Sequence, residues 1–274
     1  MTRPFEDKIY LITGASSGLG LATAKYLSAG GARVIAAGRR DPGIGEFVAL
    51  DLTVRDSIDA CAEKLAGRSL DGLINNAGVL LPDPGKVHGC EPHMGINFIG
   101  HFALTGALIS NLVPAARIVH VTSMAAQFVS LNAEILRKQP PARGFRAYAR
   151  SKLANLMFAL ELAHRAPDVV SVAAHPGYAA TALQDNLFLG RLGNRLFGQH
   201  PESGAAAILK ALLDPNIERG TLVGPSRYLQ LRGTPKHLLP YRGATDPQAR
   251  TELWDFAEEV LKDKFPVPPA AVSR

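Results

Sequence analysis

Short apolar runs alternate with helical patterns along most of this 274-residue chain, and this alternation restricts its fold more than any other feature. The apolar runs predict strands at 8–13, 33–38, 46–50, 72–75, 117–122, 169–174 and 221–224. Helical periodicity predicts helices near 19–29, 54–66, 91–112, 145–165, 202–213 and 247–262. Because strands that alternate with helices form a parallel sheet covered on both faces, we predict a single, doubly wound α/β domain over 1–274 with about seven strands.

The composition fits a globular domain and excludes several other classes. Hydrophobic residues make up 47% and charged residues 20%, as in ordinary globular proteins. The net charge is +6, but Lys and Arg are dispersed, so we expect no nucleic-acid partner. The two cysteines, Cys61 and Cys90, cannot form a disulfide framework, which predicts a reducing, cytoplasmic location.

One uncharged stretch, 94–116, is long enough to span a membrane. It also holds Asn97, His101, a proline and three glycines, and it leads directly into a strand pattern. We therefore predict a helix buried within the protein and no membrane span.

The segment with His88, Cys90 and His93 offers three potential metal ligands within six positions. Their spacing, in a loop that contains glycine and proline, matches no zinc pattern, so we predict no metal.

The first predicted strand leads into a glycine-rich turn, TGASSGLG at 13–20, which a helix follows at once. Glycine permits positive φ and lets the backbone approach a pyrophosphate closely. The helix N-terminus then offers free N–H groups and the positive end of its dipole to the phosphates. The turn predicts a dinucleotide site, contacted by Gly14, Ser16, Ser17, Gly18, Leu19 and Gly20.

The same turn also satisfies G-x-S-x-G, the nucleophile elbow of α/β-hydrolases, with Ser16 as the nucleophile. An elbow normally follows several strands, whereas this turn follows the first one, and Gly20 has no role in an elbow. A serine esterase that uses Ser16 is the alternative function from a different enzyme class.

The end of the second predicted strand indicates which dinucleotide binds. An acidic residue there would accept hydrogen bonds from the ribose 2′-OH of NAD, whereas arginine accommodates a 2′-phosphate. The sequence has no acid at this position and continues with Arg39 and Arg40, which predicts NADP(H). The connection 39–45 contains proline and two glycines and is too short for a crossover helix, so we expect an open adenosine side.

A second group of residues suggests acid–base chemistry. Tyr148 and Lys152 are four positions apart in a helical pattern and therefore share a face. A phenol has a pKa near 10, and a nearby ammonium group lowers it. Ser123 follows the predicted strand 117–122, at the sheet edge where such folds bind ligands. Its hydroxyl could hydrogen-bond a substrate oxygen while Tyr148 transfers a proton.

Six motifs in this order resemble the short-chain dehydrogenase/reductase family. They are the glycine turn 13–20, Asn75-Asn76-Ala77-Gly78 after the fourth strand, Asn97, Ser123, the run Tyr148-Ala149-Arg150-Ser151-Lys152, and Pro176-Gly177 with Thr181. The resemblance spans about 8–222. It implies a Rossmann fold and an NADP(H)-dependent enzyme that interconverts a carbonyl and an alcohol by hydride transfer.

The resemblance also implies a role for each position. Tyr148 would be the acid/base, and Lys152 would bind the nicotinamide ribose and lower the pKa of Tyr148. Ser123 would orient the substrate oxygen, and Asn97 would hold a water that links Lys152 to solvent. The further cofactor contacts would be Asp51, Leu52, Asn76, Ala77, Gly78, Pro176, Gly177, Ala179 and Thr181. Because all four catalytic positions are filled, an enzyme is favoured over a non-catalytic NADP-sensing protein.

Two features resemble the retinol-dehydrogenase-like branch, whose members act on bulky lipophilic alcohols and carbonyls. Ser123 and Tyr148 are 25 positions apart, farther than is usual in the family, and the motifs YARSKLAN and HPGYAAT match that branch. The segment 182–200 would cover the substrate as an apolar lid, and a C-terminal extension, 225–274, would follow. The apolar face of this segment consists of Leu183, Leu187, Phe188, Leu192 and Leu196. Core packing or a subunit contact is the alternative for this face.

The resemblance implies a homodimer or homotetramer joined through the helices that carry Asn97 and Tyr148. The longer insert before Tyr148 could obstruct that pairing.

Overall fold

In this computed structural model, which describes residues 3–138, 144–177, 201–227, 230 and 232–267, the chain folds around an eight-stranded sheet. The strands are β1 (Ile9–Thr13), β2 (Arg33–Gly38), β3 (Glu46–Ala49), β4 (Leu70–Asn75), β5 (Leu112–Val121), β6 (Val170–Ala174), β7 (Leu222–Arg227) and β8 (Arg232–Leu238). Their order is β3-β2-β1-β4-β5-β6-β7-β8, with β1 to β7 parallel and β8 antiparallel to β7. The predicted doubly wound α/β fold is confirmed.

The eighth strand was not predicted, because its sequence RGTPKHL combines glycine, proline and lysine, which are depleted in strands. Its position explains this composition. An edge strand has one side without a partner, so it tolerates a proline, and a lysine there discourages pairing with another chain.

The helices are α1 (Gly18–Ala29), α2 (Arg55–Lys64), α3 (Gly100–Leu108), α4 (Ala133–Lys138), α5 (Phe145–Arg165), α6 (Pro201–Leu213) and α7 (Pro247–Leu261). The helix expected over 91–112 consists of a helical turn Pro92–Met94, a π-helical turn Gly95–Ile99, α3 and a 3₁₀ turn Ile109–Asn111. The short α4 lies in the insert before Tyr148 and was not predicted. None of the described helices combines the length and hydropathy that a membrane-spanning helix requires.

Two apolar cores cover the two faces of the sheet. One core packs α1 and α6 against the sheet, and the other packs α2, α3, α5 and α7 against its opposite face. In the second core, the Phe102 ring of α3 lies 5.0 Å from the Phe158 ring of α5 and 5.0 Å from the Trp254 ring of α7. The uncharged segment therefore contributes a buried helix, as predicted.

The connection from β2 to β3 contains no helix, as its composition predicted. Ile35 pairs with Glu46, and Gly38 pairs with Ala49. The connection that leaves β2 at Gly38 therefore runs back along β2 by only about three residues, roughly 10 Å, before β3 begins. Gly45 has a φ of 71°, and a Cβ there would lie 2.3 Å from the Val34 carbonyl oxygen. The tight return thus requires glycine, and it leaves the carboxyl end of β2 without a covering helix.

Candidate active site

The glycine turn lies at the carboxyl end of β1, which pairs with β2 on one side and β4 on the other. The chain connections leave in opposite directions from this point, and open α/β sheets bind ligands in the crevice that results. Gly14 has a φ of 69°, and a Cβ on Gly20 would lie 2.4 Å from the Gly14 carbonyl oxygen. Both positions therefore require glycine.

The start of α1 fits an anionic group. Ser17 is the N-cap residue, and its side chain makes no capping hydrogen bond, nor does the first turn of the helix contain an acidic residue. The first backbone N–H groups of α1 are consequently not satisfied by a cap. Together with the space that Gly14 and Gly20 keep free of side chains, these donors fit the pyrophosphate of a dinucleotide.

The residues after β4 connect the nucleotide end of the site to its chemical end. The Thr13 hydroxyl oxygen accepts hydrogen bonds from the backbone N–H groups of Asn76 and Ala77, both at 2.9 Å. A Cβ on Gly78 would lie 3.2 Å from both Asn97 Oδ1 and Lys152 Nζ. The predicted floor of the cofactor site, Asn76 to Gly78, therefore runs from the glycine turn to the predicted catalytic residues.

The predicted adenosine contacts follow β2 and β3. Asp51 accepts hydrogen bonds from the backbone N–H of Thr53 at 2.9 Å and from its hydroxyl at 2.7 Å, which fixes the carboxylate in a turn. Leu52 is buried. Arg39 and Arg40 are exposed at the carboxyl end of β2, where their guanidinium groups can meet a ligand that enters from solvent.

Three predicted catalytic side chains come together at the carboxyl end of β5. The side chains of Tyr148 and Ser123 are hydrogen-bonded to each other. Lys152, one helical turn beyond Tyr148 on α5, donates from Nζ to the Val121 carbonyl oxygen at 3.0 Å. Its Nζ lies 5.9 Å from the centre of the Tyr148 ring. The tyrosine side chain thus lies beside Ser123 at the carboxyl end of β5.

Burial dominates the electrostatics of this group. It raises the pKa of Tyr148 above its usual value, although the hydrogen bond from Ser123 acts in the opposite direction. It also lowers the pKa of Lys152 to about 8, and among the described residues no carboxylate forms an ion pair with this lysine. The Lys152 ammonium group bonds to a backbone carbonyl oxygen, and its predicted effect on the pKa of Tyr148 stays a prediction.

Asn97 lies in the π-helical turn Gly95–Ile99 and is fully buried. Its Oδ1 accepts from the Val79 N–H at 2.8 Å, and its Nδ2 donates to the Val79 carbonyl oxygen at 3.1 Å and to Ser151 Oγ at 2.9 Å. These bonds fix the side chain between the loop after β4 and α5. Single π turns are rare and often mark functional sites.

Two histidines near Asn97 belong to the same region and were not assigned a role from the sequence. The His101 ring bonds to the Asn97 carbonyl oxygen, and the His93 ring lies edge-on to the Tyr148 ring with centres 6.4 Å apart. Each histidine is four positions from Asn97. That spacing, one turn of a helix, is the signal by which the sequence could have identified them.

In the segment 88–93, the two histidines bond to different groups. His88 Nε2 bonds to the Leu52 carbonyl oxygen at 2.7 Å, and Cys90 is buried. His93 bonds through Nδ1 to Glu91 at 2.6 Å and through Nε2 to the Leu80 carbonyl oxygen at 2.8 Å. Although burial opposes it, these two bonds raise the pKa of His93.

Several predicted contacts lie outside the described residues. These are Ala179, Thr181 and the proposed lid 182–200. Pro176 and Gly177, which precede them, lie directly after β6, and the Gly177 N–H donates to His175 Nδ1 at 3.2 Å. Of the C-terminal extension, the described part supplies the end of β7, β8 and α7.

Comparison with known proteins identifies relatives for most of the chain. A family model described as short chain dehydrogenase matches residues 8–191. Retinol dehydrogenase 12 of Mus musculus is 36% identical over 237 residues, which cover 77% of this chain and 75% of that protein. A crystal structure of an uncharacterized protein from Mycobacterium paratuberculosis is 32% identical with a TM-score of 0.81, and the match covers 97% of this chain and 99% of that chain. A short chain dehydrogenase from Shigella flexneri, solved in complex with NADP, shares the fold at 22% identity with a TM-score of 0.64 over 81% of this chain and 98% of that chain.

Proposed function

Since the chain belongs to the short chain dehydrogenase family, we propose that it reduces a bulky lipophilic ketone or aldehyde with NADPH. Family membership makes it an oxidoreductase of the retinol-dehydrogenase-like branch, which disfavours the serine esterase alternative that would use Ser16. The observation that carries the proposal is the hydrogen-bonded pair of Tyr148 and Ser123 at the end of β5, with Lys152 one turn away.

The side chains of the site fit the transfer of a proton to a carbonyl oxygen. When bound, a nicotinamide dinucleotide supplies the hydride. Ser123 donates a hydrogen bond that orients the substrate oxygen and stabilises the negative charge it gains. Tyr148 donates its phenolic proton to that oxygen. Lys152 places a positive charge near the phenolate that Tyr148 becomes, which stabilises it until it is protonated again.

The pKa directions fit carbonyl reduction at neutral pH. With its pKa raised by burial, Tyr148 is a neutral phenol at neutral pH, which is the form that can protonate a substrate oxygen. Lys152, whose pKa burial lowers to about 8, is cationic at neutral pH and neutral in alkali. Both groups are therefore in the form that reduction needs at neutral pH.

We expect kcat/KM for carbonyl reduction to fall as the pH rises through about 8, because Lys152 then loses the charge that stabilises the phenolate. The pH dependence of kcat/KM reports groups of the free enzyme, so it is measured at saturating NADPH with a subsaturating ketone and also with subsaturating NADPH. A profile that stays flat to pH 10 would contradict the role of Lys152.

The choice of NADP over NAD rests on the carboxyl end of β2. Arg39 and Arg40 are exposed there, and neither position carries an acid that would repel a 2′-phosphate. A planar guanidinium group matches phosphate geometry and is always charged. The absence of a helix between β2 and β3 leaves solvent access to this end of the site, so the phosphate can remain partly hydrated.

Replacing both arginines, Arg39→Ala with Arg40→Ala, should raise KM for NADPH about 10- to 100-fold, because hydrogen bonds to charged groups contribute about 1.5–3 kcal/mol. KM for NADH should change little. Arg33→Ala is the matched control, since Arg33 is exposed at the opposite end of the same strand. Equal use of NADH and NADPH by the unaltered protein would overturn the assignment.

The substrate class is tested by screening carbonyl compounds for NADPH oxidation. We expect retinaldehyde-like and other large apolar carbonyls to be reduced with higher kcat/KM than small ketones of the same reactivity. The support is the similarity to a protein named retinol dehydrogenase and the apolar segment 182–200. No difference between large and small ketones would contradict this part of the proposal.

We propose one change to the subunit interface that the family resemblance predicts. On α3 and α5, most side chains are buried within the single chain, and Trp254 of α7 and Phe265 cover Phe102 and Phe158. Among the described residues of these helices, Phe145 is the single large hydrophobic side chain that is exposed. We propose that these helices do not form a subunit interface. A homo-oligomer seen by light scattering would then be unaffected by charged substitutions on α5, such as His164→Glu.

We also propose a cytoplasmic location. The support is that both cysteines are free and buried, as is usual in a reducing compartment. Fractionation of the full chain between cytosol and membranes tests this proposal, and recovery with the membranes would contradict it.

A further inference from the structure

The buried ring of His101 bridges two parts of the site. Its Nδ1 lies 3.0 Å from the backbone carbonyl oxygen of Asn97, and its Nε2 lies 2.9 Å from the hydroxyl oxygen of Thr13. Asn97 lies in the π-helical turn and Thr13 at the start of the glycine turn. His101 thus connects the helix that carries a predicted catalytic residue to the turn that fits the dinucleotide.

The partners of the ring determine its tautomer. A carbonyl oxygen can only accept, so the bond to Asn97 requires a proton on Nδ1. At the other end, the Thr13 hydroxyl oxygen already accepts from the N–H groups of Asn76 and Ala77. Its own proton can be donated to Nε2 at 2.9 Å or to the Ile74 carbonyl oxygen at 3.3 Å, and Nε2 is the nearer acceptor. The arrangement is complete when His101 is neutral with its proton on Nδ1.

The surroundings agree with a neutral ring. His101 is almost fully buried, and burial lowers its pKa to about 4. The titratable groups that act on it are Lys152 and His120, and no described carboxylate bonds to it. A positive charge on this ring would be unpaired beside Lys152, so protonation is disfavoured.

We propose that His101 is a positioning residue: as the Nδ1–H tautomer it ties the Asn97 carbonyl to the Thr13 hydroxyl, so that the π-helical turn and the cofactor turns keep one geometry. This deepens the proposed function, because it states how the chain fixes Asn97 relative to the dinucleotide.

The first test does not depend on turnover. Long-range ¹H–¹⁵N NMR spectra of the ligand-free protein with ¹⁵N-labelled histidine distinguish the two tautomers and the charged ring, and the His101 signals are identified by their loss in His101→Asn. We expect a neutral Nδ1–H ring from pH 5.5 to 8.5. An Nε2–H ring, or a ring that is charged at pH 7, would refute the proposal whether or not the protein reduces ketones.

The second test uses substitutions. His101→Phe keeps the shape and removes both hydrogen bonds, and it should lower kcat about tenfold and displace the alkaline limb of the pH profile with little change in KM for the ketone. His101→Asn keeps a side-chain N–H near the position of Nδ1 and should recover most of kcat. Values for His101→Phe within twofold of the unaltered enzyme, or no recovery in His101→Asn, would contradict the proposal.

A matched control separates positioning from stability. His120 is equally buried, and its ring bonds to Ser171 Oγ at 3.2 Å and to Asn75 Nδ2 at 3.4 Å, but it forms no hydrogen bond with Asn97 or Thr13. His120→Phe should lower the melting temperature and leave the pH profile unchanged. If His101→Phe and His120→Phe displace the pH profile equally, the role of His101 is structural and the proposal is wrong. If His101→Phe does not fold, His101→Asn and the NMR spectra decide the question.

Discussion

Replacing Tyr148 by Phe is expected to lower turnover of any carbonyl substrate by about 10²- to 10⁴-fold, the range that a positioned acid contributes. The change removes only the hydroxyl that hydrogen-bonds to Ser123. Because the glycine turn and the floor of the cofactor site are untouched, the Kd for NADPH, measured by fluorescence titration, should change less than about threefold, below 1 kcal/mol.

Tyr241→Phe is the control for this substitution. Tyr241 is buried, and its hydroxyl donates to Gln230 Oε1 at 3.1 Å, away from Ser123. The Tyr241→Phe enzyme should keep the turnover of the unaltered protein. If the Tyr148→Phe enzyme keeps more than a tenth of the original activity, Tyr148 is not the acid of the mechanism. NADPH binding with no turnover in the unaltered protein would instead support the NADP-sensing alternative.

Replacing Lys152 by Met should abolish most of the activity and yet stabilise the fold at neutral pH. The pKa of Lys152 lies near 8 in the folded protein and near 10.5 when it is exposed. The folded state therefore binds the proton less tightly, and at pH 7 the buried charge costs about 3 kcal/mol. Methionine has a similar length and no charge. The Val121 carbonyl oxygen stays satisfied, because Asn155 Nδ2 also donates to it at 3.1 Å.

The sign of this effect on stability can be tested by measuring unfolding at different pH values. Between about pH 8 and 10.5 the unfolded state binds more protons at Lys152 than the folded state, so the unaltered protein gains stability as the pH rises. The variant lacks this gain. Its melting temperature should be higher by about 5–10 °C at pH 7, and the difference should shrink to nothing above pH 10.5. Lys25→Met, at an exposed position of α1, should show no such difference. A Lys152→Met protein that is less stable at pH 7 would contradict the account.

Such a trade of stability for activity explains why the site contains a buried cation at all. We expect that removing Lys152 costs the fold nothing, but that it leaves the Tyr148 phenolate without a nearby positive charge. The π-helical turn that holds Asn97 is a second trade of stability for activity, because it departs from the more regular helix that the uncharged segment would otherwise form.

The sequence by itself determined the order of the elements and the chemistry of the site. Strand and helix periods are local properties, and the glycine turn, Ser123, Tyr148 and Lys152 could be predicted together because their order along the chain resembles the short chain dehydrogenase family. The missing crossover helix after β2 was also predictable, since proline and two glycines in 39–45 leave no helix to form.

The tertiary structure alone decided the features that depend on contacts between distant residues. Thr13 and His101 are 88 positions apart, and their hydrogen bond exists only because β1 and α3 pack on neighbouring parts of the sheet. The edge strand β8 depends on β7 as a template for residues with little strand preference of their own. Desolvation of Lys152 and Tyr148, which sets their protonation states, comes from the whole surrounding core. Local patterns specify which groups are present, and packing over long sequence separations specifies their partners and charge.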